Sequence, residues 1–283
     1  MSKQATLSSH TQKYTAAAWI RTIIMLILSL IIIIPLVMVF LGSVKSPAEA
    51  AQMNLQLPTS WNFSNYAEVF VKGNMLRGFI NSTIITLFSV ITILIMASMA
   101  TYIIARRNVW WTNLLYFLCV VGLIAPPSMI PTIKVMRSLH IYGEYYGLVL
   151  YYTALLIPFA IFIMTGFMKG VPRELDEAAT VDGAGASRTF FTIVLPLLQP
   201  SLATTAVFLF MFVWNDFYIP MFLINDSSMY TIPFSIFYFV SQYGSQWHYI
   251  FADLIMAALP VLLLYVFLQR YIIEGMTAGS VKG

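Results

Sequence analysis

Few residues in this chain are of a type that catalyses reactions or binds metals. The three histidines, His10, His140 and His248, lie far apart and match no metal-ligand spacing, and Cys119 is the only cysteine, so no disulfide within the chain is possible. The sequence has no H-E-x-x-H motif, no paired aspartates in its apolar segments and no G-x-x-x-x-G-K-[ST] phosphate loop. We therefore predict no catalytic residue, no metal site and no cofactor bound by this chain.

The densest group of charged residues lies between two apolar segments, at residues 169–196. Lys169-Gly170-Val171-Pro172 should end one helix, and residues 173–179 should begin another, with acidic side chains in the first turn where the helix dipole favours them. Four residues share roughly one face of this short helix: Leu175, Ala178, Ala179 and Asp182. A face of small side chains with charged flanks can pack closely against another protein, but the segment could also be a solvated connector. The pattern alone leaves both interpretations open.

A second candidate site is a carboxylate inside an apolar segment. Asp216 follows Trp214 and Asn215 and precedes Tyr218. A charged side chain in a membrane is costly, so it should face a cavity or a partner. The group could line a translocation path, with the aromatic rings offered to a sugar, or Asp216 could hold this helix to a neighbour. Asn81, Ser82 and Thr83, near the start of the second apolar segment, could likewise hold helices together or line a pore.

The composition places these residues in a lipid bilayer. Of the 283 residues, 60% are hydrophobic and only 9% are charged, and the mean hydropathy is +0.83. Soluble domains carry about 25% charged residues. The composition therefore excludes a disordered chain, a nucleic-acid-binding protein and a water-soluble enzyme, and the net charge of +4 comes from Lys and Arg residues scattered among apolar runs.

Six segments are long and apolar enough to cross about 30 Å of hydrocarbon. We predict an all-α integral membrane protein with six transmembrane helices within the windows Thr22–Val44, Gly78–Ala105, Asn108–Ile133, Tyr145–Met168, Thr189–Asn215 and about Ile250–Gln269. Pro126, Pro127 and Pro131 should break the third helix. The uncharged stretch Ser227–Ala252 is not counted as a seventh span, because its apolar core is short and polar residues follow it.

The positions of Lys and Arg predict the orientation. With both termini in the cytoplasm, ten of the fifteen lie on the cytoplasmic side and five outside, as the positive-inside rule requires. The 169–196 segment is then cytoplasmic, and the segments after the first and fifth spans are extracytoplasmic.

The residues of the cytoplasmic segment also resemble a known family. Glu177-Ala178-Ala179, three residues, Gly183, nine residues, and Ile193-x-Leu195-Pro196 together resemble the EAA signature of ABC-importer permeases. Trp214-Asn215-Asp216-Phe217 and the C-terminal residues 269–283 are similar to the carbohydrate-importer branch, typified by the second permease of the maltose system. That branch often has Glu at the position of Asp216, which leaves the charge unchanged.

The resemblance implies a transmembrane domain of the type I ABC-importer fold without an ATPase of its own. Together with the predicted spans and orientation, it gives a cytoplasmic tail at 1–20, a first helix at 21–44, an extracytoplasmic loop at 45–73, a permease core at 74–270 with the EAA loop at 170–196, and a cytoplasmic tail at 271–283. The EAA loop would form a coupling helix that binds an ATPase subunit. The residues implied in this coupling are Glu177, Ala178, Ala179, Asp182, Gly183, Leu195 and Pro196. In this family the C-terminal tail reaches toward the ATPases, which would involve Gly279, Lys282 and Gly283.

The implied partners are a second, different permease subunit, two ATP-binding subunits that hold ATP and Mg, an extracytoplasmic sugar-binding protein and the lipid bilayer, with no nucleic acid. The implied location is the inner membrane of a bacterial or archaeal cell. The alternative is a self-sufficient, ion-coupled secondary transporter, which predicts inverted repeats and a buried ion site. No convincing repeat is present, and Asp216 alone is a poor ion site. The sequence does not identify the sugar.

The first testable prediction concerns orientation. In a variant that lacks Cys119, a single cysteine in place of Thr180 should react with a membrane-impermeant thiol reagent only after the cytoplasmic side is exposed. Labelling of that cysteine in intact cells would contradict the six-span topology, since residue 180 would then lie outside.

Overall fold

The chain folds into a bundle of long apolar helices joined by short helical pieces. The computed structural model describes residues 16–125, 127–241 and 244–278, and the β-structure in this part of the chain is one two-residue hairpin, β1 (Val240–Ser241) paired antiparallel with β2 (Gly244–Ser245). The α-helices are α1 (Ala16–Ser43), α2 (Pro47–Ala50), α3 (Ser64–Lys72), α4 (Met75–Arg106), α5 (Trp110–Ile124), α6 (Met129–Ser138), α7 (Tyr145–Met168), α8 (Glu174–Val181), α9 (Ala186–Thr189), α10 (Leu195–Leu197), α11 (Gln199–Asn215), α12 (Tyr218–Leu223) and α13 (Trp247–Ala278). The prediction of an all-α membrane fold is confirmed.

Four of the described helices, α1, α4, α7 and α13, are each long and apolar enough to cross a membrane. They correspond to the first, second, fourth and sixth predicted spans, and α7 has the predicted bounds. The stretch 227–252 does not form a spanning helix. Its described residues form two 3₁₀ turns, Ser227–Met229 and Ile232–Tyr238, the β-hairpin and the first residues of α13.

The third and fifth predicted spans are not straight helices. The window Asn108–Ile133 contains α5, which ends just before Pro126, and α6, which begins at Met129. With 15 residues, α5 is about 22 Å long, shorter than the hydrocarbon thickness. The window Thr189–Asn215 is bent by 72° between Ala186–Leu197 and Gln199–Asn215, and this pair forms one span only if the bend is included. Pro196 and Pro200 flank the bend, and neither can donate a backbone hydrogen bond.

Two helices extend past predicted domain boundaries. Helix α1 begins at Ala16, so the last residues of the predicted N-terminal tail at 1–20 are helical. Helix α13 continues through Ala278, past the predicted boundary at 270. Residues 1–15 and 279–283 lie outside the described part of the chain.

The core lies between α4 and α7, with α11 and α5 packed beside them. Its buried side chains include Ile85, Ile93, Tyr152, Leu156 and Met164. Helix α1 is different, since its most apolar stretch is not covered by the rest of the chain, and it approaches α13 at its C-terminal end. There Gly42 lies against the Phe251 ring, where a Cβ atom would come within 2.3 Å of the ring.

Two connecting segments lie at one end of the bundle, one between α1 and α4 and the other between α12 and α13. In the first, Glu49 accepts hydrogen bonds from the hydroxyl and backbone N–H of Thr59 and from the Ser46 hydroxyl. These bonds lower the pKa of Glu49 to about 2. In the second, the Asn81 amide of α4 donates to the carbonyls of Ser228 and Tyr230, both at 2.9 Å. Lys72 Nζ lies 3.3 Å from Tyr249 Oη and joins the first segment to α13.

Candidate functional site

The segment between α7 and α11 is built as predicted from two turns and a short helix. Helix α7 ends at Met168, and Gly170 and Val171 donate backbone hydrogen bonds to Phe167 and Met168. Helix α8 then begins with Glu174, Asp176 and Glu177 in its first turn, where the positive end of the helix dipole favours carboxylates. The sequence therefore determines where α8 starts and which charges it carries at that end.

Gly183 follows α8 in a left-handed conformation, with φ of +76°. The N–H of Gly183 donates to the carbonyl of Thr180 at 3.0 Å, and that of Ala184 donates to Ala179 at 2.9 Å. This pair of bonds is the Schellman motif, which satisfies carbonyls that the last turn of a helix leaves unpaired. A residue with a Cβ atom is disfavoured at this φ, so the direction in which the chain leaves α8 depends on this glycine.

The exposed face of α8 differs from the predicted face. Ala179 is only 3% exposed, because it packs against its own chain, so its predicted place on a docking face is wrong. Leu175, Ala178 and Asp182 are exposed as predicted, and Val181 is 88% exposed. Helical spacing places these four residues within one broad sector. We call Leu175, Ala178, Val181 and Asp182 the exposed face of α8; Glu177, at the N-terminal end, is also exposed.

Leu195 and Pro196 lie apart from α8, in the short helix α10 next to the 72° bend. With Phe190, Phe191 and residues of α4 they line an open apolar cavity of about 430 Å³. Before them the chain forms one π-helical segment, Phe190–Val194, whose wider turn is typical of a locally distorted helix. These two residues therefore shape the segment that returns from the loop to the bundle.

Arg106, the last residue of α4, contacts this loop in a way that the sequence does not reveal. Its Nη1 and Nη2 donate to the carbonyls of Val171 and Pro172 at 2.9 and 3.2 Å, and its Nε lies 2.5 Å from Asp176 Oδ2. From the sequence alone, Arg106 cannot be distinguished from Arg107, because each is simply a positive charge on the predicted cytoplasmic side. No local pattern links Arg106 to residues about 65 to 70 positions later, so only the tertiary structure identifies it.

Asp216 lies at the C-terminal end of α11 and makes three hydrogen bonds. Its Oδ2 accepts from the hydroxyl of Tyr152 at 2.8 Å, and its Oδ1 accepts from the backbone N–H groups of Tyr218 and Ile219 at 2.9 and 3.3 Å. The carboxylate thus joins α11, α7 and α12. It also borders a cavity of about 540 Å³ that is lined by residues on both sides of the break after α5, including Gly122 and Met129.

Of the other three residues of this predicted group, Tyr218 stays near Asp216, and Trp214 and Asn215 do not. Tyr218 lines the same cavity as Asp216. Trp214 is buried on another side, where it stacks on Phe210 and donates from Nε1 to the carbonyl of Ala257 at 3.3 Å. Asn215 is exposed, and its amide donates to the carbonyl of Met211 in its own helix. Gly279, Lys282 and Gly283 lie outside the described residues, and within the described part no three His, Cys, Asp or Glu residues are grouped to hold a metal.

Comparisons with known proteins agree with these features. Residues 97–277 match the family described as "Binding-protein-dependent transport system inner membrane component". The chain is 35% identical to the probable starch degradation products transport system permease protein AmyC of Thermoanaerobacterium thermosulfurigenes, over 96% of this chain and 98% of that protein. It is 34% identical to the melibiose/raffinose/stachyose import permease protein MelC of Bacillus subtilis, over 80% of this chain and 83% of that protein.

The fold is also similar to a solved structure. A chain in the crystal structure of a bacterial ABC transporter involved in the import of the acidic polysaccharide alginate superposes with a TM-score of 0.82. The superposition covers 93% of this chain and 99% of that chain, at 21% sequence identity. At this identity the likeness establishes the fold alone.

The hydrogen bond between Tyr152 and Asp216 generates the second prediction. Tyr152→Phe should lower the free energy of unfolding by about 1 kcal/mol, because the half-buried Asp216 carboxylate loses one donor. The matched control is Tyr151→Phe, since the buried hydroxyl of Tyr151 has no hydrogen-bond partner in the described part of the chain. Thermal unfolding of the purified protein in detergent measures both variants. Equal unfolding temperatures for the two would contradict a structural role for the Tyr152–Asp216 bond.

Proposed function

Because the chain belongs to the family of binding-protein-dependent transport system inner membrane components, we propose that it is the membrane-spanning permease subunit of an ATP-driven ABC importer for sugars or oligosaccharides. The observation that carries this proposal is similarity over almost the whole chain to permeases named for sugar transport. Family membership supports an importer subunit over a self-sufficient, ion-coupled transporter.

A permease of this kind acts with partners. We propose a second, different permease subunit, two ATP-binding subunits on the cytoplasmic side and a sugar-binding protein on the opposite side. ATP and Mg bind to the ATP-binding subunits, since this chain has no G-x-x-x-x-G-K-[ST] loop. The complex lies in the inner membrane of a bacterial or archaeal cell with both termini of this chain in the cytoplasm, as the distribution of Lys and Arg favours.

Coupling to ATP hydrolysis takes place at the loop that contains α8. The exposed face of α8 offers Leu175 and Val181 as apolar contacts and Asp182 as a hydrogen-bond acceptor, and Glu177 adds a second carboxylate at the other end. Leu175 and Val181 lie within one sector of α8, so they offer a partner a small apolar surface beside the carboxylates. The Schellman turn at Gly183 holds this face in a definite direction. Leu195 and Pro196 contribute by shaping the returning segment.

The translocation path follows the cavity that Asp216 and Tyr218 line. A carboxylate accepts hydrogen bonds from sugar hydroxyls, and an aromatic ring packs on the apolar face of a sugar. Because Trp214 and Asn215 point away from this cavity, we exclude them from the proposed path. A second permease subunit would complete the wall of the path.

Reconstitution tests the function itself. In proteoliposomes, this chain with its partner subunits should take up a sugar only when the binding protein and ATP are both present. Candidate sugars are starch-derived oligosaccharides and raffinose-type sugars, the classes for which the relatives are named. Uptake by this chain alone under an ion gradient, without ATP, would instead support a secondary transporter.

The turn at Gly183 provides the test of coupling. Gly183→Val should reduce sugar-stimulated transport severely, because a β-branched residue at positive φ is strongly disfavoured and the cost of about 1–2 kcal/mol or more falls on the turn that orients α8. Space around Gly183 is open, so the strain is conformational rather than a steric clash with neighbours. Glu177→Ala should have a weaker effect. Membrane insertion and pairing with the other permease should persist in both variants.

The matched control is Gly183→Asn, since Asn tolerates the left-handed conformation. This variant should retain most of the transport activity. The measurements are copurification of the ATP-binding subunits, sugar-stimulated ATP hydrolysis and transport by the same preparation. Full copurification and normal transport by Gly183→Val would show that the loop is only a connector.

A further inference from the structure

Three polar contacts from a single side chain connect α4 to the start of α8. The Arg106 guanidinium donates to the carbonyls of Val171 and Pro172, in the turn before α8, and pairs with Asp176 in the first turn of α8. Two of these contacts are hydrogen bonds from one planar group with fixed donor directions, and the third is an ion pair in which Nε and the Asp176 carboxylate lie close together without hydrogen-bond geometry. The two directional bonds restrict the position of the turn before α8 more than the single point charge of a lysine would.

Partial burial strengthens this connection. The side chains of Arg106 and Asp176 are only 12% and 19% exposed. An ion pair that is largely shielded from water is screened less by salt than an exposed pair. Arg106 also lies at the C-terminal end of α4 and Asp176 near the N-terminal end of α8, so each charge is favoured by the dipole of its own helix.

Two further contacts join the loop to the same end of α4. Arg173, just before α8, donates from Nη2 to the carbonyl of Ala105 at 3.2 Å. On the returning side, the ring of Phe190 packs against that of Tyr102, with ring centroids 5.5 Å apart. Both sides of the loop are therefore attached to the last five residues of one helix.

Helix α4 is in turn part of the bundle interior. It packs against α7 and α11, and its residues Ile85, Ile93 and Ala97 are buried in the core. A helix packed on several sides moves as a rigid body, since close-packed interiors deform little. A displacement at its cytoplasmic end would thus reach residues that line the interior of the bundle.

We propose that Arg106 is a positioning residue that transmits movement of α8 to α4, through its contacts with Val171, Pro172 and Asp176. This inference rests on the proposed function, because it requires that the loop receive movement from an ATPase. It assigns to Arg106 a role different from that of the exposed face of α8: the exposed face binds the partner, and Arg106 connects that face to the membrane helices.

The test uses the whole complex in proteoliposomes and compares Arg106→Gln with Arg107→Gln. Arg107 is adjacent and exposed, so its substitution removes the same charge from the same region without removing the contacts to the loop. For Arg106→Gln we expect the ATP-binding subunits to copurify in the normal ratio and to hydrolyse ATP, while sugar transported per ATP hydrolysed falls about fivefold or more, because hydrogen bonds from a charged donor are among the stronger ones. Arg107→Gln should transport the normal amount of sugar per ATP hydrolysed.

If Arg106→Gln does not assemble, Asp176→Asn provides a second test. Asparagine has nearly the same shape as aspartate, so this variant removes only the ion pair. It should also lower the transport per ATP, by a smaller factor. The double variant should be no worse than Arg106→Gln alone, since residues that act through one contact are not additive. Arg106→Lys should restore part of the loss, because it keeps the charge but not the two directional bonds.

Three results would overturn the proposal. Normal sugar transport per ATP in Arg106→Gln would show that the contacts do not transmit movement. A lower yield of complex, with normal transport per ATP in the complexes that assemble, would show a merely structural role. Loss of the ATP-binding subunits would show that Arg106 maintains the docking face itself. If Gly183→Val loses sugar transport per ATP and Arg106→Gln does not, this inference alone is rejected. If Gly183→Val transports sugar normally, the proposed coupling function of the loop is rejected.

Discussion

In hydrocarbon, a peptide N–H or C=O group without a hydrogen-bond partner costs several kcal/mol, so a chain that crosses a membrane must satisfy these groups within its own structure. Long helices do this for α1, α4, α7 and α13. This internal pairing ends where the chain leaves a helix, and at several such places a polar side chain supplies the missing partner.

Three such places illustrate the rule. Asn81 binds the carbonyls of Ser228 and Tyr230 where the chain between α12 and α13 lies against α4, and the Ser82 hydroxyl accepts from the N–H of Ile232 nearby. Asp216 accepts from the first N–H groups of α12. Arg106 binds the carbonyls after α7. In each place, one side chain satisfies two backbone groups.

Helix α4 carries contacts of this kind at both ends. Near its start, Asn81 and Ser82 hold the segment at 228–232, and at its end Arg106 holds the loop that contains α8. In the proposed importer these are the sides of the binding protein and of the ATPases. One rigid helix therefore connects the surfaces on which the two kinds of partner would act, and this arrangement gives an ATP-driven movement a short route across the membrane.

The sequence by itself determined the features that depend on local composition and spacing. Hydropathy predicted the apolar helices, with bounds correct for α7, because burial in lipid requires about 20 apolar residues in a row. The residues that resemble the family signature were visible in the sequence, and so was Gly183, which adopts the left-handed turn after α8 at little conformational cost. Only the tertiary structure decided which residues meet. Two contacts, Tyr152 with Asp216 and Arg106 with Asp176, join segments that are about 65 to 70 residues apart in the sequence. The bend near Leu198 and the burial of Ala179 depend on how neighbouring segments pack around them. No local pattern records such contacts, because each side chain alone is compatible with many partners and the packed bundle selects one.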